Sequence, residues 1–296
     1  MNYLLLILSV GLAQLNTGIQ NRFSKKMLKN LADCLAFTLL VSLMAAALLT
    51  ALDGGFPLPS VYTLLLGMLF GAITAMSLIS NSLALSAGPM SITVLIGSCA
   101  MLVPTICGTI FWREAVQVPQ IIGMVLLVTA LYLCVNPKKD KSITLRWIAL
   151  CSLAFISSGL IGVLQKVHQT SPHRGELTAF LVVSFLTAAL IMAGGLLVLR
   201  CFRHVKRTVP LRSSFPLIAL VAGACVGGVN KINMFLAGAM PSILFFPLVN
   251  GSNILLSAVI ASLLFREKLS RRQIVGFLIG VLAIALVGNA ASLLLG

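Results

Sequence analysis

Apolar residues run along this chain in ten long stretches, approximately residues 3–20, 33–52, 61–83, 90–112, 118–136, 147–165, 177–199, 215–238, 242–265 and 273–294. A helix needs about 20 mostly apolar residues to cross the hydrocarbon core of a bilayer, so each stretch predicts a spanning helix. Membrane β-strands would alternate apolar and polar positions over about ten residues, and these stretches do not. Turn chemistry marks several connections: Asp53-Gly54-Gly55-Phe56-Pro57, Gly88-Pro89, Asn136-Pro137-Lys138 and Met240-Pro241-Ser242. The longest polar links, 22–29, 137–146, 165–176 and 200–212, are too short for a separate soluble domain. The first apolar run has no basic leader and is followed by many more spans, so it reads as a span and not as a signal peptide.

Composition agrees. Charged residues are 9% of the chain and hydrophobic ones 59%, whereas soluble domains carry roughly 25% charged residues. A net charge of +15 would suggest nucleic acid in a soluble protein. In a polytopic membrane protein it reads as topology, because basic residues gather in cytoplasmic loops. The basic 200–212 link is expected to meet anionic headgroups. The seven cysteines are odd in number, form no CxxC and lie mostly in apolar runs, so they read as small apolar fillers.

Residues 89–136 and 242–289 are two copies of one unit: two apolar segments joined by a short charged elbow. Laying Arg113 on Arg266 pairs 113–136 with 266–289 without a gap. The identical pairs are Arg113/Arg266, Glu114/Glu267, Gln120/Gln273, Ile121/Ile274, Gly123/Gly276, Val128/Val281, Ala130/Ala283, Leu133/Leu286 and Asn136/Asn289. Nine matches in 24 positions, including Arg, Glu, Gln, Gly and Asn, exceed what shared hydrophobicity gives. The expected organisation is a five-helix repeat over 1–137, a basic linker over 138–146 and a second five-helix repeat over 147–296.

Five is odd, so equivalent helices of the two repeats cross the membrane in opposite senses. The charges follow this reading. Links 1–2, 5–6, 7–8 and 9–10 hold 17 of the 21 Lys and Arg residues; the opposite side holds three, and Lys231 is the only charge well inside a predicted span. By the positive-inside rule the basic side is cytoplasmic and both termini face outward. The expected fold is therefore an all-α integral membrane protein of ten transmembrane helices in two inverted five-helix repeats. Inverted repeats supply two nearly isoenergetic arrangements open to opposite sides of a midplane site.

The elbows Leu-Phe-Arg-Glu-Lys-Leu-Ser-x-x-Gln-x-x-Gly (264–276) and Phe-Trp-Arg-Glu-Ala-x-x-x-x-Gln-x-x-Gly (111–123) resemble the EamA-type repeat of the drug/metabolite transporter superfamily. Both fall at the junction of the fourth and fifth helix of a half, and the resemblance covers essentially the whole chain. It implies ten helices in two repeats and transport of drugs, amino acids, nucleotide sugars or other metabolites, often with protons or by exchange. Ten-helix members usually keep both termini in the cytosol, whereas the charge count here argues the opposite. Small multidrug exporters of the superfamily rely on a membrane-buried glutamate. All six acids here (Asp33, Asp53, Glu114, Asp140, Glu176, Glu267) sit at span ends or in links, which argues against proton-coupled export of lipophilic cations.

Polar residues inside spans are costly and mark candidate sites. In helix 1, Asn16 and Gln20 share a face with Thr17 beside them. Helix 8 carries Gly223-x-x-x-Gly227, a close-packing signal, followed by Asn230, Lys231 and Asn233; helix 3 echoes it with Gly71 and Asn81, both 152 residues earlier than Gly223 and Asn233. Lys231 lies about 16 residues, roughly 24 Å, into helix 8. It either neutralises an anionic substrate group or snorkels to the interface. In helix 9, Pro247 and Gly251 form a candidate hinge, and Asn250 and Asn253 share a face. The expected cavity wall is Asn16, Asn230, Lys231, Asn250 and Asn253, with Asn81 and Asn233 as a second tier. Glu114 and Glu267 read as elbow salt bridges or helix-end caps. His168, His173 and His204 fall in polar links without a ligand set, so no metal site is expected.

These features predict a secondary transporter, and not an enzyme, that moves a small polar or anionic metabolite by alternating access. The bilayer is its solvent and a bacterial cytoplasmic membrane its expected location. A coupling proton or a counter-substrate is a possible partner; no cofactor and no nucleic acid are expected. The alternatives are an exporter of amphipathic compounds, walled chiefly by Trp112, Phe235, Phe245 and Phe246, and a non-transporting partner subunit. A membrane-embedded enzyme on lipid-linked substrates would need converging acids or histidines near the interface.

Overall fold

The structure, a computed structural model, describes residues 2–27, 31–55, 58–87, 90–134, 144–203, 214–265 and 270–295. The linker residues 138–143, His204, most of the 200–212 link and the elbow residues Arg266, Glu267 and Lys268 lie outside them. The described chain is helical, with no strand among the described residues: α1 (Asn2–Met27), α2 (Leu31–Leu52), α3 (Val61–Ala87), α4 (Met90–Cys99), α5 (Leu102–Phe111), α6 (Val118–Cys134), α7 (Leu145–Gln169), a 3₁₀ turn (Arg174–Glu176), α8 (Leu177–Arg203), α9 (Ser214–Ala239), α10 (Ser242–Phe265) and α11 (Arg271–Leu295). Six of these helical stretches are long and apolar enough to cross a membrane. Side chains such as Leu4, Leu65, Leu190 and Leu217 stand exposed on them, as helices surrounded by lipid permit.

Helices occupy each of the ten predicted stretches, with two departures. The stretch 90–112 is divided into α4 and α5. Pro104 has no N–H for the Ala100 carbonyl, and its ring crowds that carbonyl. The Val103 N–H takes the Ala100 carbonyl instead (3.1 Å), and the Ala100 N–H turns back to Gly97 (3.2 Å). Pro247 by contrast lies inside an unbroken α10; the carbonyl it deprives, that of Ile243, belongs to the first turn, where the backbone can tilt. Pro247 and Gly251, the residues of the expected hinge, thus lie in continuous helix, and the interruption falls between α4 and α5. The second departure is α7, which runs to Gln169 and takes Lys166 and His168 out of the predicted link.

By contacts the chain forms two compact units, Met1–Ala75 with Val167–Phe235 and Met76–Lys166 with Leu236–Gly296. Each draws helices from both halves of the sequence.

In the first unit α2 and α8 pack antiparallel: Gly195 faces Leu35, while Ala46 and Thr50 share a groove with Val182 and Leu186. α3 lies along α8 through Gly67 and Gly71. A Cβ at Gly71 would collide with the Ser184 carbonyl oxygen and stand 2.8 Å from Thr187 Cβ. α9 lies along α2 through Gly223 and Gly227, and a Cβ at Gly223 would stand 3.0 Å from the Val41 carbonyl oxygen and 2.7 Å from Met44 Cβ. α1 runs antiparallel to α9, with Leu12 at Gly228 and the Ser9 hydroxyl donating to Asn233 Oδ1.

In the second unit α6 and α11 pack extensively and run antiparallel. Gly123, near the start of α6, meets Ala283 and Val287 late in α11. Arg272, at the start of α11, donates to the Tyr132 carbonyl near the end of α6 (3.1 Å) and lies 4.7 Å from the centre of the Tyr132 ring. Gly251 brings α10 against Leu127 of α6, and Gly159 and Gly162 bring α7 against Val103, Pro104 and Phe246. Trp147 of α7 donates its indole N–H to the Thr93 hydroxyl of α4 (2.9 Å).

Candidate functional site

The polar face of the first unit is built from α1 and α9. Both carry a stretch apolar enough to cross a membrane, so amides within those stretches must find partners or line a wet surface. Asn16, Asn230, Lys231 and Asn233 are all half-buried. Asn230 donates one amide hydrogen to the Val226 carbonyl on its own helix (2.9 Å). A carboxamide offers two donors and two lone pairs, so this leaves capacity for a ligand. Asn233 accepts from Ser9, tying the two helices together. Gln14 is buried.

Lys231 reaches the turn after α2, where its Nζ stands 3.3 Å from Asp53 Oδ1; both side chains are more than a third exposed. A protein carboxylate therefore already fills the counter-ion role that an anionic substrate was expected to fill. The contact fits a long stem carrying its charge toward the end of the helix.

The first unit also holds a polar cluster that the sequence pattern did not single out. Ser60 begins α3, and the first N–H groups of a helix lack partners within it. Glu176 Oε2 accepts from the Ser60 N–H (2.9 Å) and from the Ser60 hydroxyl (2.8 Å). Ser60 Oγ lies 3.2 Å from Thr63 Oγ1, and Thr63 Oγ1 lies 3.4 Å from Nε2 of His168. His168 is wholly buried, with its ring 4.5 Å from that of Phe180. Glu176 Oε1 stands 3.3 Å from Nδ1 of His173, whose ring stacks on Tyr62.

The second unit repeats the capping device at another helix. Glu114 Oε2 accepts from the Ser242 N–H at the start of α10 (2.6 Å), and Oε1 accepts from the Ser242 hydroxyl (3.2 Å). Lys166 completes it with an ion pair of 2.8 Å to Glu114 and a hydrogen bond to the Met240 carbonyl (2.9 Å). Both members are largely buried. The cap depends on Arg113, which sits at φ 49°. That left-handed conformation costs a non-glycine residue about 1–2 kcal/mol and turns the chain so that Glu114 reaches α10. Glu114 is thus both a cap and a salt-bridge partner, but to Lys166; the Arg113 side chain is exposed.

The remaining predicted residues belong to this second unit. Asn250 donates to the Phe246 carbonyl (2.9 Å) and Asn253 is half-buried on the same helix; Asn81 is exposed on α3. Phe245 and Phe246 are buried against each other; Phe235, which belongs to the first unit, is exposed.

Sequence reasoning missed Lys166 and His168 because a span boundary was drawn at the polar run Gln165-Lys166-x-His168-Gln169. All four of these side chains are buried. The signal was present in the lengths: a 25-residue helix from Leu145 carries that run inside its last two turns. Lys231 is accordingly not the only charge within a helix of spanning length.

Solved structures resemble this chain. One, named only "Crystal structure of protein", superposes with a TM-score of 0.74 at 12% identity, covering 97% of this chain and 98% of that one. The fold is a known one. At that identity the likeness speaks for the fold alone. No family model matches the chain, and no curated protein matches it.

Proposed function

We propose that this chain is a secondary transporter of the EamA type within the drug/metabolite transporter superfamily, moving a small polar or anionic metabolite across a bacterial cytoplasmic membrane by alternating access. The observation that carries the reading is a pair of matched contacts in the first unit. Gly71 on α3 meets the carbonyl of Ser184 and the Cβ of Thr187 on α8; Gly223 on α9 meets the carbonyl of Val41 and the Cβ of Met44 on α2. The glycines are 152 residues apart, and both partner pairs are 143 apart. An inverted repeat in which α2 corresponds to α8 and α3 to α9 explains both offsets at once. The antiparallel packing of α6 on α11, whose sequences pair without a gap, supports the same relation. In this reading α4 and α5 together make one of ten spans.

Two copies inserted in opposite senses give a protein two arrangements of similar energy, which is the mechanical requirement for alternating access. The half-buried amides Asn16, Asn230 and Asn233 on α1 and α9 supply hydrogen bonds that orient a polar solute. In the second unit, Asn250 and Asn253 on α10 offer the same kind of group. The buried pair Phe245 and Phe246 gives the amphipathic-exporter alternative less support.

The test is a thermal-shift screen of the purified protein against a panel of small polar and anionic metabolites. A transporter of this kind is stabilised by its solute, and Asn230→Ala removes the shift while leaving the unliganded melting temperature within a few degrees. A panel without any stabilising compound, or a shift that survives Asn230→Ala, Asn16→Ala and Asn233→Ala together, counts against it. Orientation is checked by a cysteine at Gly296 in a cysteine-free background. Labelling of intact cells by an impermeant reagent is expected, and labelling only after permeabilisation would put the C-terminus inside.

A further inference from the structure

We infer that His168 is a proton-binding site, reached from the surface of the first unit through His173, Glu176, Ser60 and Thr63. The inference rests on the transporter reading for its use, since a proton bound there would be the coupling ion.

The five side chains form an unbroken series of contacts. It begins at His173, whose side chain is 39% exposed. It passes to Glu176 Oε1 (3.3 Å), leaves from Oε2 to Ser60 Oγ (2.8 Å), crosses to Thr63 Oγ1 (3.2 Å) and ends at Nε2 of His168 (3.4 Å). The two hydroxyls and the two rings can each accept and donate, and Glu176, acceptor-only as the carboxylate, donates when it carries the proton in transit. His168 is 0% exposed. An apolar side chain would serve packing at such a position without the cost of burying a polar ring.

Donor counting gives the series two states. With Glu176 ionised, the Ser60 hydroxyl donates to Glu176, and its oxygen, which already accepts the Thr63 N–H (3.3 Å), keeps one lone pair for the Thr63 hydroxyl. With Glu176 protonated, the carboxyl donates to Ser60, Ser60 to Thr63 and Thr63 to His168 Nε2. Passing one proton along that series breaks the O–H bond of Glu176 and forms an N–H bond at His168 Nε2. It restores the Glu176 carboxylate and leaves each hydroxyl with one hydrogen. The other ring nitrogen, Nδ1, lies 3.2 Å from the Gln169 side-chain amide. Turned so that its oxygen faces the ring, that amide accepts Nδ1–H in both the neutral and the cationic state. The imidazolium then has two acceptors, Gln169 and Thr63.

The groups bearing on His168 are few. Thr63 faces it from α3 and Phe180 from α8; Gln169 adjoins it on α7. Burial is the largest influence on the ring and opposes its taking up a proton; of the charges near it, Glu176 favours the imidazolium and His173 opposes it. Lys166, two residues earlier on the same helix, has its own partner in Glu114.

The test follows the proton and needs no solute. The full chain is labelled with ¹⁵N-histidine and placed in lipid nanodiscs, and the His168 signal is assigned as the one lost in His168→Gln. The expected result is a reversible shift of that signal from neutral ring toward imidazolium as the pH is lowered from about 8 to about 4, with the protein folded throughout. Thr63→Val keeps the shape and removes the hydroxyl, and is expected to slow exchange of the His168 ring proton with water by at least about tenfold while His173 exchanges as before. Glu176→Gln, which cannot take up and release a proton, serves if Thr63→Val does not fold. A His168 ring that stays neutral across the range overturns the site. Exchange as fast as wild type in the variant overturns the path. Failure of the wild-type protein to move any solute would count against the transporter reading and leave these signals unchanged.

Discussion

Gly71 and Gly223 make the same contact on two different helices, each meeting a backbone carbonyl and, three residues further along, a Cβ atom. Small residues let helix backbones approach closely where lipid offers no hydrophobic drive to pack them. Adding one methyl at either position forces the helices apart, and overpacking of this kind typically costs about 1–3 kcal/mol. Gly71→Ala and Gly223→Ala are each expected to lower the thermal unfolding temperature by several degrees. Gly18, with nothing within 4 Å of its absent Cβ, should tolerate alanine. Differential scanning fluorimetry of the three variants checks this, and equal shifts would remove the glycine contacts as the basis of packing.

Lys166 and Glu114 form the buried ion pair that closes the start of α10. Removing one partner of a buried pair strands the other and typically costs about 3–5 kcal/mol. Lys166→Met should therefore destabilise the protein severely, and Lys166→Met with Glu114→Gln should recover part of the loss by removing the unpaired charge. A double-mutant cycle measured by reversible unfolding in detergent reads the coupling. Additive losses would contradict the pair.

Lys231 and Asp53 are paired where both are well exposed, and such pairs contribute about 0–1 kcal/mol. Lys231→Ala is expected to leave stability nearly unchanged. If an anionic solute competes with Asp53 for Lys231, Asp53→Asn strengthens binding of that solute and Lys231→Ala abolishes it. Binding of a stabilising anionic metabolite by isothermal titration calorimetry decides. Unchanged affinity in both variants would leave Lys231 as an anchor at the helix end.

Pro104 separates α4 from α5, whereas Pro247 is absorbed into α10. Pro104→Ala should let the Ala100 carbonyl regain its ordinary helical partner, so amide exchange over residues 100–105 slows by about tenfold or more. Pro247→Ala should change exchange over residues 243–250 much less. Hydrogen–deuterium exchange mass spectrometry on lipid-reconstituted protein reads both segments.

Much of the architecture was legible because continuous apolar runs predict helices in a bilayer directly. The 3.6-residue period put Asn250 and Asn253 on one face of a helix but gave no sign that Asn230 and Asn250 each return a hydrogen bond to the carbonyl four residues earlier. The two matched elbow sequences lead into α6 and α11, whose side-by-side packing the sequence match did not foretell. What hydropathy concealed was charge inside helices. Lys166 and His168 read as loop residues because a window average falls wherever polar side chains cluster, whether they face water or are buried among partners. Their partners, Glu114 and Thr63, are 52 and 105 residues away in sequence, beyond any local pattern. The two prolines show a related limit: each removes one hydrogen bond, and only position within the helix decides which one interrupts it.

Alternating access is tested most directly by counterflow. Proteoliposomes carrying the protein are loaded with an unlabelled metabolite that stabilises it, then diluted into a trace of the same metabolite in labelled form. A carrier that exposes one site to each side in turn accumulates label transiently above its equilibrium level, and Asn230→Ala abolishes the overshoot. Label that only equilibrates, or never enters vesicles shown to contain folded protein, would contradict the account.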